Sequence, residues 1–513
     1  MMGRQRSQHD LFSYRINLEH RIRKDHPLRK VQELVDFSFV REEVARFYGR
    51  NGNASVDPVV LLKMMFLLFF DNVASERELM KVIAERLDYL WFLGFGLDDE
   101  LPNHSVLSKA RARWGEEVFR GLFERTILQC VEAGLVDGSK LHMDSSLIDA
   151  DASTNSVVQA GPELTAALKK AYQSQEAKLE ELPKPPVEIG EDAPSDGVLD
   201  AASLAEGAAG QSKKKPVAQA VNATHVSTTD PQAAMVRGKN TTSRPRYKVH
   251  RAIDDAHGVI TALTTTAGNV DDSTQLDVLC QQHEANTEEA VKTVVADSKY
   301  GTIENFIRCR QAGIATHMAD LAGSQRSTGS REGIFDESEF RYDAQSDTLL
   351  CPAGQKMKPR RLNSTWRTEY TLPAAVCASC KLRERCTRSK SGRSVQRHRQ
   401  QDLLEEGRKQ SASRAARRDR RRRKHLMEGS FADAANNHGF KRARWRGLGR
   451  QQIQGSMIAA CQNIRILIAR GTRRSQPASQ AANIIMMTPV QPVSGSSAAF
   501  YEAHQALNRC FAP

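Results

Sequence analysis

Between residues 25 and 135 apolar positions recur three and four apart, the period of helices that bury one face. The run VVLLKMMFLLFF after Asp57 and Pro58 is apolar nearly all round. It predicts a helix at the buried centre of a bundle, with Asp57 as N-cap and Pro58 as first helical residue. Ser75 and Glu78 make a capping-box pattern before LMKVIAERLDYLWFL. After the break GFGLDDELPNHS, a further helix is expected over VLSKARARWGEEVFRGLFERTILQCVEAGL. From about residue 137 the period changes. LVDGSKLHMDSSLIDADAS reads as a buried strand leading into a loop, and YKVHRAIDDAHGVITALTTTAG as a hairpin around DDAHG. Next come a helix at about 273–284, a strand in AVKTVVADSKYG, a helix in TIENFIRCRQAG and a short strand in IATHMA. That order predicts an α/β domain with a mixed five-stranded sheet and flanking helices.

The pattern divides the chain into a helical N-terminal domain, 1–135, and the first part of a sheet domain, 136–320. A bridge at 152–242 interrupts the latter; apart from the helical interlude ELTAALKKAYQSQEAKLEEL, it has the composition of a flexible linker. An insertion follows at 321–402, then a basic helix and a C-terminal helix within 403–470. The tail, 471–513, has too little periodic apolar content to fold and is expected to be disordered. Composition adds a partner. The 513 residues carry 74 Lys and Arg against 61 Asp and Glu, a net charge of +13, which points to a polyanion such as double-stranded DNA. The longest apolar run, Val59 to Phe70, is interrupted by Lys63 and falls short of the about 20 residues that span a bilayer, so no membrane partner is expected. No secretory signal is visible in MMGRQRSQHDLF, which places the chain in the cytoplasm or on the nucleoid.

Candidate chemistry lies in three places. Asp144 closes LHMD and Asp297 closes VKTVVAD, each at the end of an apolar strand, where neighbouring strands can bring carboxylates into metal-bridging range. A cap or turn hydrogen bond is the ordinary alternative for each. Glu428 follows the run 414–424, in which eight of eleven residues are basic, so a carboxylate there can hold metal while Arg417, Arg418 and Arg420 to Arg423 (Arg421 and Arg422 among them) grip phosphates. A surface ion pair is the bland reading of Glu428. Lys109, Arg111 and Arg113, early in the second of two helices joined by a turn, suit a helix-turn-helix contact with DNA, as does a solvated basic face. Lys441, Arg442, Arg444 and Arg446 extend the basic character past Glu428.

The order of HMDSSLIDA, YKVHRAID, TTTAGNVDDS, VVADSKYGTIEN, a cysteine-bearing insertion, EGSFADAANNHGFKRARWRGL and QNIRILI resembles the bacterial insertion-sequence transposases of the DDE superfamily. The helical segment from Val56 to Phe95 also looks like their N-terminal domain. The resemblance covers about 25–320 and 350–470. It implies an RNase H-like catalytic domain and Asp144, Asp297 and Glu428 as ligands of two Mg²⁺ (or Mn²⁺) ions. The implied activity is cutting of element ends and joining of the 3′ hydroxyl to target DNA, by a homo-oligomer when bound to DNA. The family usually carries Lys or Arg a turn or two after the Glu, where this chain has Ala435 and Asn436. A nuclease on the same fold and an inactive or domesticated DNA-binding protein are the rival readings. Asp149, Asp151, Asp254 and Asp271 are the spare carboxylates should Asp144 and Asp297 fall apart.

Nine cysteines in a long chain argue against a disulfide framework. Cys351, Cys377, Cys380 and Cys386 form two groups in the insertion, a spacing that suits a closed structural Zn²⁺ site. Free thiols and a weak remnant of such a site are the alternatives.

Overall fold

The computed structural model describes residues 17–48, 55–181, 221–238, 242–320, 333–360 and 367–470. The most linker-like part of the bridge, 182–220, and the tail from 471 lie outside them.

The N-terminal helices form where their caps are. Asp57 accepts the Val59 N–H at 2.8 Å and starts the helix Pro58–Phe70, and Ser75 accepts the Glu78 N–H at 3.1 Å and starts Glu76–Glu85. The expected helix over LMKVIAERLDYLWFL breaks at Arg86 into Glu76–Glu85 and Leu87–Leu93. Arg86 is extended there, with its guanidinium on Asp71 and Asp88 and over the Tyr89 ring. Helix Ser105–Glu132 bends at Gly115, whose φ of 70° is open to glycine and strained for other residues.

The central sheet runs in the order β6 (Ile260–Ala267), β5 (Ser243–Asp254), β1 (Lys140–Asp149), β7 (Thr293–Val295), β8 (Ala315–Thr316). β5 is antiparallel to β1 and β6, while β1–β7 and β7–β8 are parallel. This is the mixed sheet expected from the element order, with a sixth strand, β4 (Ala234–Arg237), on the first residues of β5. β4 comes from the region read as linker, as do the two-stranded pair β2 (Val157–Gln159) and β3 (His225–Ser227), while the helix Pro162–Glu181 matches the expected helical interlude. Alternation sorts β1 between two cores. Leu141 and Met143 pack with Leu276, Leu279 and Phe306, whereas Ile148 joins Val249 and Ile253 in the core of the N-terminal helices.

The N-terminal helices therefore share one hydrophobic core with the sheet. Helix Leu448–Arg470 lies between them, packed on Pro58–Phe70, Ser105–Glu132 and β6. Its side chains also cover the open edge of β6. Asn463 accepts the Ile260 N–H and donates to the Ile260 carbonyl, both at 2.9 Å, and Gln452 accepts the Thr265 N–H at 2.8 Å. An uncovered edge would offer those groups to another chain.

The insertion, read from sequence only as a cysteine-bearing segment, is a five-stranded antiparallel meander: β9 (Arg341–Asp343), β10 (Thr348–Leu350), β11 (Lys356–Arg360), β12 (Arg367–Thr371) and β13 (Ser394–His398). One face buries Leu349, Met357, Tyr370 and Val395, and the alternation of β11 leaves Lys356, Lys358 and Arg360 exposed on the other. The basic helix expected over 403–438 is two helices, Gln401–Ser411 and Arg414–His438, because Ser413 caps the second through the Ala416 N–H at 3.1 Å. Among the described residues no helix is long and apolar enough to cross a membrane.

Candidate active site

β1 and β7 pair in parallel through Leu141–Val294 and His142–Val295. The pairing stops there, two residues short of Asp297, but the charge of Asp297 acts on Asp144, so the two carboxylates lie near each other. β7 ends at Val295, so Asp297 lies in the loop beyond it, whereas β1 continues to Asp149. Asp144 is thus mid-strand and not at a strand end as expected, because β5 keeps pairing with β1 and sets Arg251 opposite it. Its carboxylate is largely buried; Oδ1 accepts the Ser145 N–H at 2.8 Å and Oδ2 accepts Arg423 Nη1 at 2.6 Å. Burial raises the Asp144 pKa, and the charge of Asp297 adds to that, against the pull of Arg423 and the Ser145 N–H. Asp297 Oδ1 accepts the Lys299 N–H at 2.9 Å, a turn bond of the ordinary kind.

Glu428 lies on Arg414–His438, five residues after Arg423, and is exposed. The structure brings Asp144 and Asp297 together and leaves Glu428 outside any three-ligand cluster: among the described residues no group of three or more His, Cys, Asp or Glu is placed to hold a metal ion. Two neighbouring carboxylates, one of them partly buried, are hard oxygen donors of the kind Mg²⁺ takes, so the pair fits a divalent cation as a partial set. The spare carboxylates are engaged elsewhere. Asp149 pairs with Arg246, Asp151 with Arg446, Asp254 accepts the Gly138 N–H, and Asp271 caps the Ser273 N–H.

Sequence reasoning missed Asp272. Its carboxylate is almost fully buried, with Lys248 Nζ at 2.9 Å, Lys299 Nζ at 3.1 Å and Ser145 Oγ at 2.9 Å. Burial opposes its ionisation, but Lys248 and Lys299 outweigh that and hold its pKa below the usual range. The signal was the doubled Asp in NVDDS, of which the first was noted as a spare ligand.

The basic residues divide into exposed and structural. Arg417, Arg418, Arg421, Arg422 and Lys424 face solvent on Arg414–His438, with Arg422 also on Asp255 at 2.5 Å. Arg420 bonds the Ser411 carbonyl and Arg423 holds Asp144. Lys109 is exposed and Arg113 half-buried over Tyr48. Arg111 is buried against Glu76 and stacked on Trp445, so its guanidinium is engaged within the fold. The Arg444 guanidinium, half-buried, bonds the Val73 and Ala74 carbonyls and Asn72 and lies over Phe69. Arg446 bonds Asp151, while Arg442 is exposed. Lys441 Nζ sits 2.8 Å from Ser146 Oγ, two residues along β1 from Asp144.

Cys351, Cys377, Cys380 and Cys386 line one cavity of the insertion. The Gln355 N–H points at Cys351 Sγ and the Leu382 N–H at Cys380 Sγ, each at 3.4 Å. Burial raises the Cys386 pKa, and the other three thiols add to it. Cys130, Cys280, Cys309 and Cys461 are buried among apolar side chains, Cys280 and Cys309 in the same core, as small apolar residues are.

Two family models match the chain: Transposase domain (DUF772) over residues 16–113, and Transposase DDE domain over residues 350–468. The second takes in the four grouped cysteines and Glu428, while Asp144 and Asp297 lie between the matched segments. No curated protein and no solved structure matches.

Proposed function

We propose that this chain, which the two family matches support as an insertion-sequence DDE transposase, cuts the ends of its element and joins each freed 3′ hydroxyl to target DNA. The observation that carries the reading is Asp144 beside Asp297 across β1 and β7, beneath a helix with an arginine-rich outer face. The strand order, with β1 central, β5 antiparallel and β7 and β8 parallel to it, supports an RNase H-like catalytic domain.

Asp144 and Asp297 would hold Mg²⁺ or Mn²⁺, with Glu428 as the third carboxylate. Glu428 and Arg422 fall on opposite flanks of Arg414–His438, about 120° apart around the axis. Arg422 is tied to Asp255 beside β5, and Glu428, on the other flank, would have to turn towards Asp144 and Asp297 to complete the set. A cation held by Asp144 and Asp297 would supply Lewis acidity for activating the attacking water or hydroxyl and for stabilising the leaving 3′ oxygen. Arg417, Arg418, Arg421 and Lys424 grip the phosphates on either side, and Lys441 adds a cation on the Asp144 face. The exposed Lys356, Lys358 and Arg360 give the insertion a second surface for duplex DNA, and the active form is a homo-oligomer on that DNA. In the insertion Cys351, Cys377, Cys380 and Cys386 would hold a structural Zn²⁺; their common cavity and the two N–H groups aimed at sulfur support this, although among the described residues the four sulfurs, like the carboxylates, are not placed as a metal-holding group.

The test is strand cleavage and joining on DNA carrying the element ends. Wild type should nick at the ends only with Mg²⁺ or Mn²⁺ and join the product to a second duplex, and Asp144→Asn and Asp297→Asn should abolish both steps. Hydrolysis without joining would make the chain a nuclease, and DNA binding without any metal-dependent cleavage would leave only the DNA-binding reading.

A further inference from the structure

Asp272 is tied to the neighbours of both candidate ligands. Ser145, which follows Asp144, donates its hydroxyl to Asp272 Oδ1 at 2.9 Å. Lys299, two residues after Asp297, sets its ammonium 3.1 Å from Asp272 Oδ2. Lys248 on β5 anchors the same carboxylate from beneath at 2.9 Å, and its Nζ also bonds the Val270 carbonyl at 2.6 Å. His250 Nδ1 stands 3.6 Å away. Asp272 itself follows β6, so one buried carboxylate joins β1, β5, the turn after β6 and the loop after β7. That loop has no strand partner at Asp297, and nothing in the β1–β7 ladder beyond Val295 fixes its distance from Asp144.

We infer that Asp272 is a positioning residue that sets the separation of Asp144 and Asp297 by holding Ser145 and Lys299 on one carboxylate. It does not touch the reacting atoms. Its side chain works from the Ser145 face of β1, while Asp144 faces Arg423 on the other. The inference rests on reading Asp144 and Asp297 as metal ligands. A carboxylate that orients the surroundings of ligands acts on affinity for the ion even when it never meets it.

The experiment measures Mn²⁺ binding by isothermal titration to the full chain for wild type, Asp144→Asn, Asp272→Asn and Lys299→Met. Thermal unfolding and DNA affinity without metal are recorded for each. Asp144→Asn should abolish the high-affinity event. Asp272→Asn should weaken Mn²⁺ on the order of tenfold or more at temperatures where the protein is fully folded, with metal-free DNA affinity unchanged. Lys299 is 62% exposed, so Lys299→Met tests the same joint even if Asp272→Asn does not fold. The Lys299 charge also acts on Asp144 and Asp297, so losing it would by itself favour the cation, and a weaker Mn²⁺ Kd in this variant reports lost positioning. The double variant should bind no worse than the weaker single one. A residue that merely supports the fold would lower the melting temperature and leave the Mn²⁺ Kd alone. Wild-type Kd in folded Asp272→Asn and Lys299→Met, with Asp144→Asn defective, would overturn the inference and leave the ligand reading standing. An unchanged Kd in Asp144→Asn would overturn both.

Discussion

Arg423 donates to Asp144 at 2.6 Å and so fastens the arginine-rich helix to β1. The guanidinium also makes Asp144 ionisable in a place where burial and Asp297 discourage charge. Replacing Arg423 by Gln should destabilise the chain by roughly 2 kcal/mol, below the full cost of breaking a buried pair because Asp144 stays partly exposed. Urea unfolding of the variant at pH 7 checks this, and a midpoint equal to wild type would mean that the pair contributes nothing to stability.

Phosphate contacts and structural arginines should separate under salt. Changing Arg417, Arg421 and Lys424 to Gln should weaken DNA binding at every sequence and lower the slope of log affinity against log salt by about one unit per lost contact. Arg444→Gln should leave that slope unchanged and lower the melting temperature, since its guanidinium holds the carbonyls after helix Pro58–Phe70. The comparison needs only fluorescence anisotropy at several salt concentrations and a thermal scan.

Four fully buried histidines make the fold acid-sensitive. Burial lowers the pKa of His142, His250, His283 and His438 below the ordinary 6.5. Below about pH 6.5 the unfolded chain therefore binds protons that the folded chain refuses, so stability falls as pH drops through that value towards the depressed folded ones. The urea midpoint should decline between pH 7.5 and pH 5. His283 bonds Thr261 and the Gly138 carbonyl through its two ring nitrogens, and His283→Gln should make the decline shallower.

Purified full-length protein should carry about one Zn²⁺ per chain by elemental analysis, and Cys380→Ser should lose it. The same variant should keep Mn²⁺ binding, because the insertion has its own small core. Metal-free wild type purified without chelator would remove the zinc proposal and leave the carboxylate site untouched.

The sheet was legible because its strands are β-branched runs separated by turn residues, and hairpin and helices followed in the order expected. Asp144 and Asp297 stood out from their apolar approaches, and in the fold the charge of Asp297 acts on Asp144. The burial of Arg111 and the tethering of Arg444 were not legible, since nothing local marks a basic residue whose partners, Glu76 and the Val73 carbonyl, arrive from a distant part of the chain. β4 was missed because it is short, and β5 supplies its reason to be extended. Asp272 was missed because its three cationic or hydroxyl partners come from β1, β5 and the loop after β7, a convergence that spacing along the chain does not encode.

Helix Leu448–Arg470 shields β6 and fills the space between the sheet and the N-terminal helices, yet the ribosome makes it late. At about 5 to 20 residues per second, the first 447 residues spend tens of seconds in synthesis with that apolar seam uncovered. A nascent chain stalled before residue 448 should recruit chaperones and be digested readily by protease, and one released past residue 470 should resist. Translation thus imposes a delay between making the candidate catalytic aspartates and closing the body that supports them, and premature termination in this stretch should yield aggregates rather than a shortened enzyme.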